Sequence, residues 1–362
     1  MKQLLGFGLA LWATASFADT SYTVDDFVRV HKFDSHVHAN VDDHKFLDIA
    51  KKDGFELLSI NVDYPDFPQL DKQAAVVHKL QKEDPQRFHF LTTFTMKGFE
   101  GPTWTADSIR HIDEEFANGA VGVKVWKNVG MVEKDAKGKL IFLDDPRFDG
   151  LMNHLEQKGI ALVAHQAEPK NCWLPLDQMT TENDRSYFKE HPEYYMYLHP
   201  EQPSYESLMQ HRDRFVARHP KLIFIGAHMA SLEWSVERLA KFFDEHPNAT
   251  ADLAARMTQV QFQSNADREK VRQFFIKYQD RLLYGTDLSL NPDEDQTDEQ
   301  KAEFKRSAHE TWTQDWRYLA TGESQHVGMI KADVRGLALP RAVIDKVYYA
   351  NAIRAFALTP AN

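Results

Sequence analysis

The amino-acid sequence predicts an α/β fold, an eight-stranded parallel (β/α)8 or TIM barrel, on the basis of two observations. Short apolar segments alternate with amphipathic stretches at the spacing of βα units. Five of these segments also carry a potential metal ligand at or near their end. In a parallel barrel every strand delivers its last residues to one common face, so these side chains are expected to converge. The five segments are residues 32–38, 121–126, 161–165, 224–228 and 283–287.

Eight candidate strands follow from runs of aliphatic, β-branched and aromatic residues. They cover residues 29–38, 55–62, 88–94, 121–126, 160–165, 222–228, 249–253 and 281–287. Apolar periodicity between and after them predicts helices at 67–83, 106–118, 146–158, 208–219, 231–246, 268–279 and 340–358. Pro340 would lie in the first turn of the last helix, where proline is tolerated.

Three connections are longer than ordinary barrel loops, after strands four, five and eight. Residues 128–145 contain Lys137-Gly138-Lys139 between apolar residues, which predicts a small hairpin. Residues 166–221 are rich in Tyr, Trp, His and Pro and predict a lid or pocket wall. Residues 291–335 are polar and then aromatic, so we expect additional helices near the same face.

The first 18 residues have the composition of a secretory signal. Lys2 precedes an apolar stretch, and small residues end it at Ala18, before Asp19. We therefore expect residues 1–18 to be a signal peptide and residues 19–362 to form a single barrel domain. The protein would be exported, either to the periplasm or by secretion. No later stretch approaches the roughly 20 apolar residues of a membrane span.

Charge and cysteine content exclude some partners. The chain has 43 Lys and Arg against 54 Asp and Glu, a net charge of −11, and it lacks a basic stripe, which argues against nucleic-acid binding. Cys172 is the one cysteine, so an internal disulfide cannot form, and we expect a buried thiol in a loop. A small-molecule substrate is the expected partner, and a homo-oligomer stays open.

The first strand predicts a metal centre. His36 and His38 are two residues apart, so both imidazoles point to the same face. His165 and His228 end two further apolar runs. Each alone is more typical of a hydrogen-bonded core histidine, but together the four favour a divalent metal. Zinc is the default for a nitrogen-rich site, with Fe, Mn and Co as alternatives.

Asp287 and Lys124 are the candidate catalytic groups beside this centre, together with His228. Asp287 ends the eighth apolar run, where a carboxylate can bind the ion and act as general acid and base; the alternative is a helix N-cap. Lys124 would face the barrel interior with Gly122 and Trp126. A buried ammonium is costly, so we expect Lys124 either to form a carbamate that bridges two metals, which we favour, or to hold a substrate carboxylate or oxyanion.

These residues resemble the amidohydrolase superfamily, and within it the amidohydrolase-2 branch of metal-dependent barrel hydrolases. The resemblance runs from the His36/His38 motif through Gly285-Thr286-Asp287 to residues 351–356, nearly the whole chain after the signal. It implies a ligand set of His36, His38, His165, His228 and Asp287. It also implies that Lys124 matches the lysine carboxylated in two-metal members.

The expected function is that of an exported metal-dependent hydrolase which cleaves an amide, ester or lactone bond of a small molecule. A metal-dependent decarboxylase is the alternative, and a non-catalytic binding protein is a third hypothesis that needs a broken ligand set. Candidate substrate-binding residues are Arg256, Glu168, Trp126 and Trp173. Arg256 would either bind a substrate carboxylate or pair with Asp252.

Overall fold

The computed structural model describes residues 21–294 and 297–360. The expected signal peptide, residues 1–18, lies outside these residues. Nine strands form one parallel sheet that curls on itself, in the order β8-β7-β6-β5-β4-β3-β2-β1-β9. They are β1 (Lys32–Ala39), β2 (Phe55–Ile60), β3 (Phe88–Thr93), β4 (Gly122–Val125), β5 (Ala161–Ala164), β6 (Ile223–Gly226), β7 (Ala249–Asp252), β8 (Leu282–Leu283) and β9 (Leu288–Leu290). The predicted α/β barrel architecture is confirmed.

Helices surround this sheet and alternate with its strands. They are α1 (Lys45–Lys52), α2 (Leu70–Glu83), α3 (Trp104–Ala117), α4 (Asn128–Met131), α5 (Asp149–Lys158), α6 (Glu182–Glu190), α7 (Tyr205–Arg218), α8 (Ala227–Ala230), α9 (Val236–Glu245), α10 (Met257–Ala266), α11 (Arg268–Lys277), α12 (Asp298–Ala320), α13 (Arg341–Asp345) and α14 (Asn351–Ala355). The predicted last helix begins at Arg341, with Pro340 as its N-cap, and contains a π-helical segment at Lys346–Ala350.

The eighth strand differs from the prediction, because it is interrupted. β8 pairs with β7, and β9 pairs with β1, while residues 284–287 between them have no strand geometry. Asp287 has φ = 68°, which an extended strand does not permit. Hydrogen bonds still join this segment to β1, from Ser35 N to Tyr284 O (2.9 Å) and from Asp287 N to His36 O (2.7 Å).

Two apolar layers explain why the segments that form β1 to β8 are continuous hydrophobic runs in the amino-acid sequence. One layer lies between the sheet and the helices and includes Val123 and Val125. The other lies inside the barrel, where Leu58 and Val163 meet Phe356 from the chain's last turns. Strands of a parallel sheet are covered on both faces, so alternation between polar and apolar residues disappears.

The three long connections are structured. In the first, Lys134 and Leu140 form an isolated antiparallel bridge, which confirms a small hairpin. The second contains α6, α7 and four 3-10 turns (Lys170–Trp173, Leu176–Gln178, Pro192–Tyr194 and Met196–Leu198), and the Cys172 side chain is buried there. The third contributes the expected helix, α12, and an unexpected hairpin of β10 (Ser324–Val327) and β11 (Ala332–Arg335). No helix within 21–294 and 297–360 is long and apolar enough to cross a membrane.

Candidate metal centre and active site

The first strand and the end of the eighth bring three potential ligands together. His36 and His38 lie on the same face of β1, as their spacing predicts. Their Nε2 atoms are 3.3 Å and 3.2 Å from Oδ1 of Asp287. The left-handed backbone at Asp287 and its hydrogen bond to His36 O place this carboxylate over the open end of β1.

The other ring nitrogen of each histidine is occupied. His36 Nδ1 lies 2.8 Å from Oδ2 of Asp252, and His38 Nδ1 lies 2.9 Å from the carbonyl of Ile60. Both partners are acceptors, so a neutral ring carries its proton on Nδ1 and directs its Nε2 lone pair toward Asp287. Nε2 of His36 is buried and has no hydrogen-bond partner in the described part of the chain. Such converging, unprotonated nitrogens beside a carboxylate fit a divalent cation.

His165 and His228 extend the cluster. The centroid of the His228 ring is 4.8 Å from that of His36 and 4.2 Å from that of His165. Burial lowers the pKa of both His165 and His228 well below its usual range, which favours the neutral form of the imidazole that can bind a metal. The residues form two groups, His36/His38/Asp287 and His36/His228/Asp252, and within each group the ligand atoms all lie within 4.8 Å of one another. His165 belongs to neither group.

The short element α8, which carries His228, is not a regular right-handed helix. Residues 228–231 have φ angles of 56°, 58°, 54° and 57°, a complete left-handed turn directly after β6. Each non-glycine residue in this conformation costs about 1–2 kcal/mol. The backbone N–H of His228 donates to Oδ1 of Asp252 at 2.7 Å. Asp252 therefore fixes the start of this turn and the ring of His36 with one carboxylate.

Lys124 lies inside the barrel, as its position in β4 predicts. Its side chain is 1 % exposed, and Nζ has no hydrogen-bond partner among the residues that the structure describes. Burial lowers the pKa of Lys124 to about 8, although the charges of Asp252 and Asp287 oppose the shift. A buried amine with a lowered pKa is a candidate functional group.

Asp287 is ionised near neutral pH. Burial alone would raise the pKa of its carboxyl group, but the neighbouring imidazoles, His228 first, outweigh burial and hold that pKa well below its usual range. Its side chain is 30 % exposed. Asp287 therefore combines contact with the histidines and access to the pocket, which both a metal ligand and a general base require.

A cavity of about 440 Å³ opens above these groups. Of the predicted substrate-binding residues, Arg256, Glu168 and Trp126 line it. Lys127 forms an ion pair with Glu168, and its Nζ lies 4.8 Å from the centroid of the Trp126 ring. The lining includes His36, His38, Phe67, Lys124, Trp126, Lys127, His165, Glu168, Asn183, Asp184, Tyr187, Phe188, His228, Arg256, Asp287 and Ser289.

Trp173 is not among the residues that line this cavity. Its indole N–H donates to the carbonyl of Pro203 at 3.1 Å, and its ring packs edge-on against Tyr205 at 5.5 Å. The side chain therefore belongs to the interior of the second long connection. Asp252 and Arg256, the other pairing that the sequence allowed, do not form an ion pair in the part of the chain that the structure describes. Arg256 donates to the carbonyl of Ala255 at 2.9 Å, and Asp252 faces His36 and His228.

Sequence reasoning missed most of the outer pocket wall. Asn183, Tyr187 and Phe188 reach the cavity from α6, and Phe67 reaches it from the segment after β2. The aromatic composition of residues 166–221 indicated a wall but could not show which side chains face inward. Asp252 was considered only as a partner of Arg256, although its position at the end of β7 places it beside the histidines.

Solved structures of other proteins share this fold. Two structures of 2,6-dihydroxybenzoate decarboxylase, one of them from Rhizobium, each share 16% identity with this chain at a TM-score of 0.51. The alignments cover 91% and 90% of this chain and 99% and 98% of those chains. A probable 2-pyrone-4,6-dicarboxylic acid hydrolase from Acinetobacter baumannii shares 11% identity at a TM-score of 0.44, over 91% of this chain and 100% of its own. At these identities the likeness concerns the fold alone.

The sequence itself gives the family. No curated protein matches the chain in a sequence comparison. The profile of the amidohydrolase family, in its amidohydrolase-2 form, matches residues 102–358, which contain β4 to β9 and the closing helices. The chain therefore belongs to the amidohydrolase-2 family.

Proposed function

We propose that this chain is an exported, metal-dependent hydrolase that cleaves an amide, ester or lactone bond of a small molecule. The observation that carries the proposal is the approach of His36 Nε2 and His38 Nε2 to one oxygen of Asp287, at 3.3 Å and 3.2 Å, on the wall of the pocket. Export rests on the sequence of residues 1–18.

His36, His38, His228 and Asp287 would hold the metal, with His165 beside them and zinc as the expected ion. A bound divalent metal supplies Lewis acidity, which activates water and polarises a carbonyl group. The free Nε2 lone pair of His36, its proton fixed on Nδ1 by Asp252, suits such a ligand.

Asp287 would accept the proton of the attacking water and return it to the leaving group. Its low pKa keeps the carboxylate ionised, and its partial exposure lets it meet the substrate. His228 or Lys124, which lie on the same wall, would stabilise the developing oxyanion. Lys124, as an amine with a lowered pKa, is also able to form a carbamate and serve as a second ligand.

The outer pocket would bind the remainder of the substrate. Arg256 offers a guanidinium whose Nε has no partner in the described part of the chain, which suits a substrate carboxylate. Trp126 and Glu168 would contact the body of the substrate, with Trp126 as an apolar wall.

A decarboxylase is the second candidate, because Lys124 and Arg256 provide two basic groups for a carboxylate on the same wall. Reaction in 18O-labelled water with a panel of lactones, esters, amides and carboxylic acids separates the two. Hydrolysis places 18O in the product, whereas decarboxylation releases carbon dioxide with no label in the organic product. If the metal-loaded protein catalyses neither reaction over a broad panel, that result would contradict an enzymatic role and favour a binding protein.

A further inference from the structure

The left-handed turn that carries His228 is held from outside the active site by α7. Arg212 Nη1 donates a hydrogen bond to the carbonyl of Ala230, and the hydroxyl of Tyr205 donates to the carbonyl of Ser231. Both side chains are buried, at 2 % and 1 % exposed. Buried carbonyls need donors, and here side chains of another helix provide them.

A second contact fixes the direction of the Tyr205 hydroxyl hydrogen. The indole N–H of Trp234 donates to the Tyr205 oxygen at 2.8 Å, so the Tyr205 hydrogen is directed to Ser231 O. Arg212 is fixed in a similar way, since its guanidinium lies 4.2 Å from the centroid of the Phe242 ring. Both donors are therefore pre-oriented toward the turn.

The same turn also contacts the segment that follows His165. The hydroxyl of Ser231 donates to the carbonyl of Ala167 at 2.8 Å, and that carbonyl lies 3.1 Å from Nε2 of His165. Any shift of residues 228–231 would therefore change the surroundings of both histidines.

We propose that Tyr205 and Arg212 are positioning residues, which keep His228 in the active site by stabilising the left-handed turn at residues 228–231. The inference rests on the proposed role of His228 in hydrolysis. The direction of the His228 side chain depends on its backbone angles. If the turn relaxed to a right-handed or extended conformation, the imidazole would leave the face that it shares with His36.

Hydrogen exchange tests the structural half of the proposal without using activity. Amides of Ser231 and Leu232 are bonded within the turn, to His228 O (3.1 Å) and Met229 O (3.0 Å). In Tyr205→Phe we expect faster exchange in peptides that cover these amides, with the remaining peptides unchanged. The control is Tyr22→Phe, which removes a hydroxyl bonded to Asp345 far from the site. Unchanged exchange in Tyr205→Phe would overturn the proposal.

A double-mutant cycle tests the functional half. We expect Tyr205→Phe to lower kcat about 10- to 100-fold, the range for a slight misplacement of a reacting group, and to have no further effect in a His228→Ala background. An equal loss in both backgrounds would mean a general structural role and would refute the assignment.

Arg212→Lys, which keeps one donor, replaces Tyr205→Phe in both tests if Tyr205→Phe fails to fold. Its control is Arg214→Lys, at the exposed Arg214 of the same helix. Absence of hydrolysis in the wild-type protein would refute the proposed function, while exchange would still decide whether the turn is anchored.

Discussion

The carboxylate of Asp252 accepts a hydrogen bond from Nδ1 of His36 at 2.8 Å and, through its other oxygen, one from the backbone N–H of His228 at 2.7 Å. One residue at the end of β7 thus sets the tautomer of a histidine on β1 and the start of the turn after β6. The arrangement explains why a fully buried acid lies beside a candidate metal centre without touching the pocket.

Asp252→Asn is expected to weaken metal binding by about 10- to 100-fold, the usual effect of losing a carboxylate that orients a ligating histidine. The amide oxygen still serves one of the two N–H groups, so the fold should persist. Calorimetric titration with Zn²⁺ measures the change, and Asp280→Asn on the surface is the control. Equal affinities in the wild type and Asp252→Asn would mean that Asp252 does not orient His36.

Asp287→Asn is expected to lower kcat by roughly 10²- to 10⁴-fold, the contribution of a positioned acid–base group. Metal content should stay largely intact, because the histidines remain. Steady-state kinetics and plasma mass spectrometry on the same preparation check both halves. Glu310→Gln, an exposed change on α12, is the control. Full activity in Asp287→Asn would remove this residue from the mechanism.

The role of Lys124 is decided by metal content. A pKa of about 8 leaves a fraction of neutral amine near pH 7.5, and neutral amines react with carbon dioxide. If the carbamate bridges two ions, protein purified without chelator should contain about two metal equivalents per chain, and Lys124→Met about one. One equivalent in both proteins would make Lys124 a cation for substrate instead.

Gly226 is expected to tolerate no side chain. A Cβ at this position would lie 2.4 Å from Cβ of Ala230, inside the left-handed turn. Gly226→Ala should reduce the free energy of unfolding by about 1–3 kcal/mol, as overpacking does, and should also lower activity through His228. Urea denaturation provides the measurement. Gly328→Ala is the matched control, because its Cβ would meet nothing within 4 Å; equal stability of the two variants would contradict the packing argument.

The buried carboxyl group of Asp315 is expected to make the stability of the protein depend on pH. Burial raises the pKa of its carboxyl group to about 7, although the hydroxyl of Tyr284 donates to it at 2.9 Å. Between about pH 4 and pH 7 the folded state therefore keeps a proton that the unfolded state releases, so stability falls as the pH rises through this window. Asp315→Asn should flatten that decline in urea titrations at pH 5 and pH 8. The same slope in both proteins would show that Asp315 ionises normally.

The sequence predicted the barrel because its strands are covered on both faces and appear as continuous apolar runs. It also predicted that His36, His38 and Asp287 converge, because strand spacing and parallel topology fix where a strand's last residues lie. Composition identified residues 166–221 as a pocket wall. In each case the pattern involves residues that are close in sequence, and the fold class determines where those residues lie in space.

Other features depend on contacts between distant segments. The break in the eighth strand, the orientation of Asp252 toward His36 instead of Arg256, and the placement of Trp173 away from the pocket follow from hydrogen bonds that join separate elements. The left-handed turn at 228–231 contains no glycine and has no local pattern that predicts it. The sequence by itself therefore determined that His36, His38 and Asp287 meet at the open end of the barrel. The tertiary structure decided how they are oriented, because donors and acceptors from other elements set each side chain's direction.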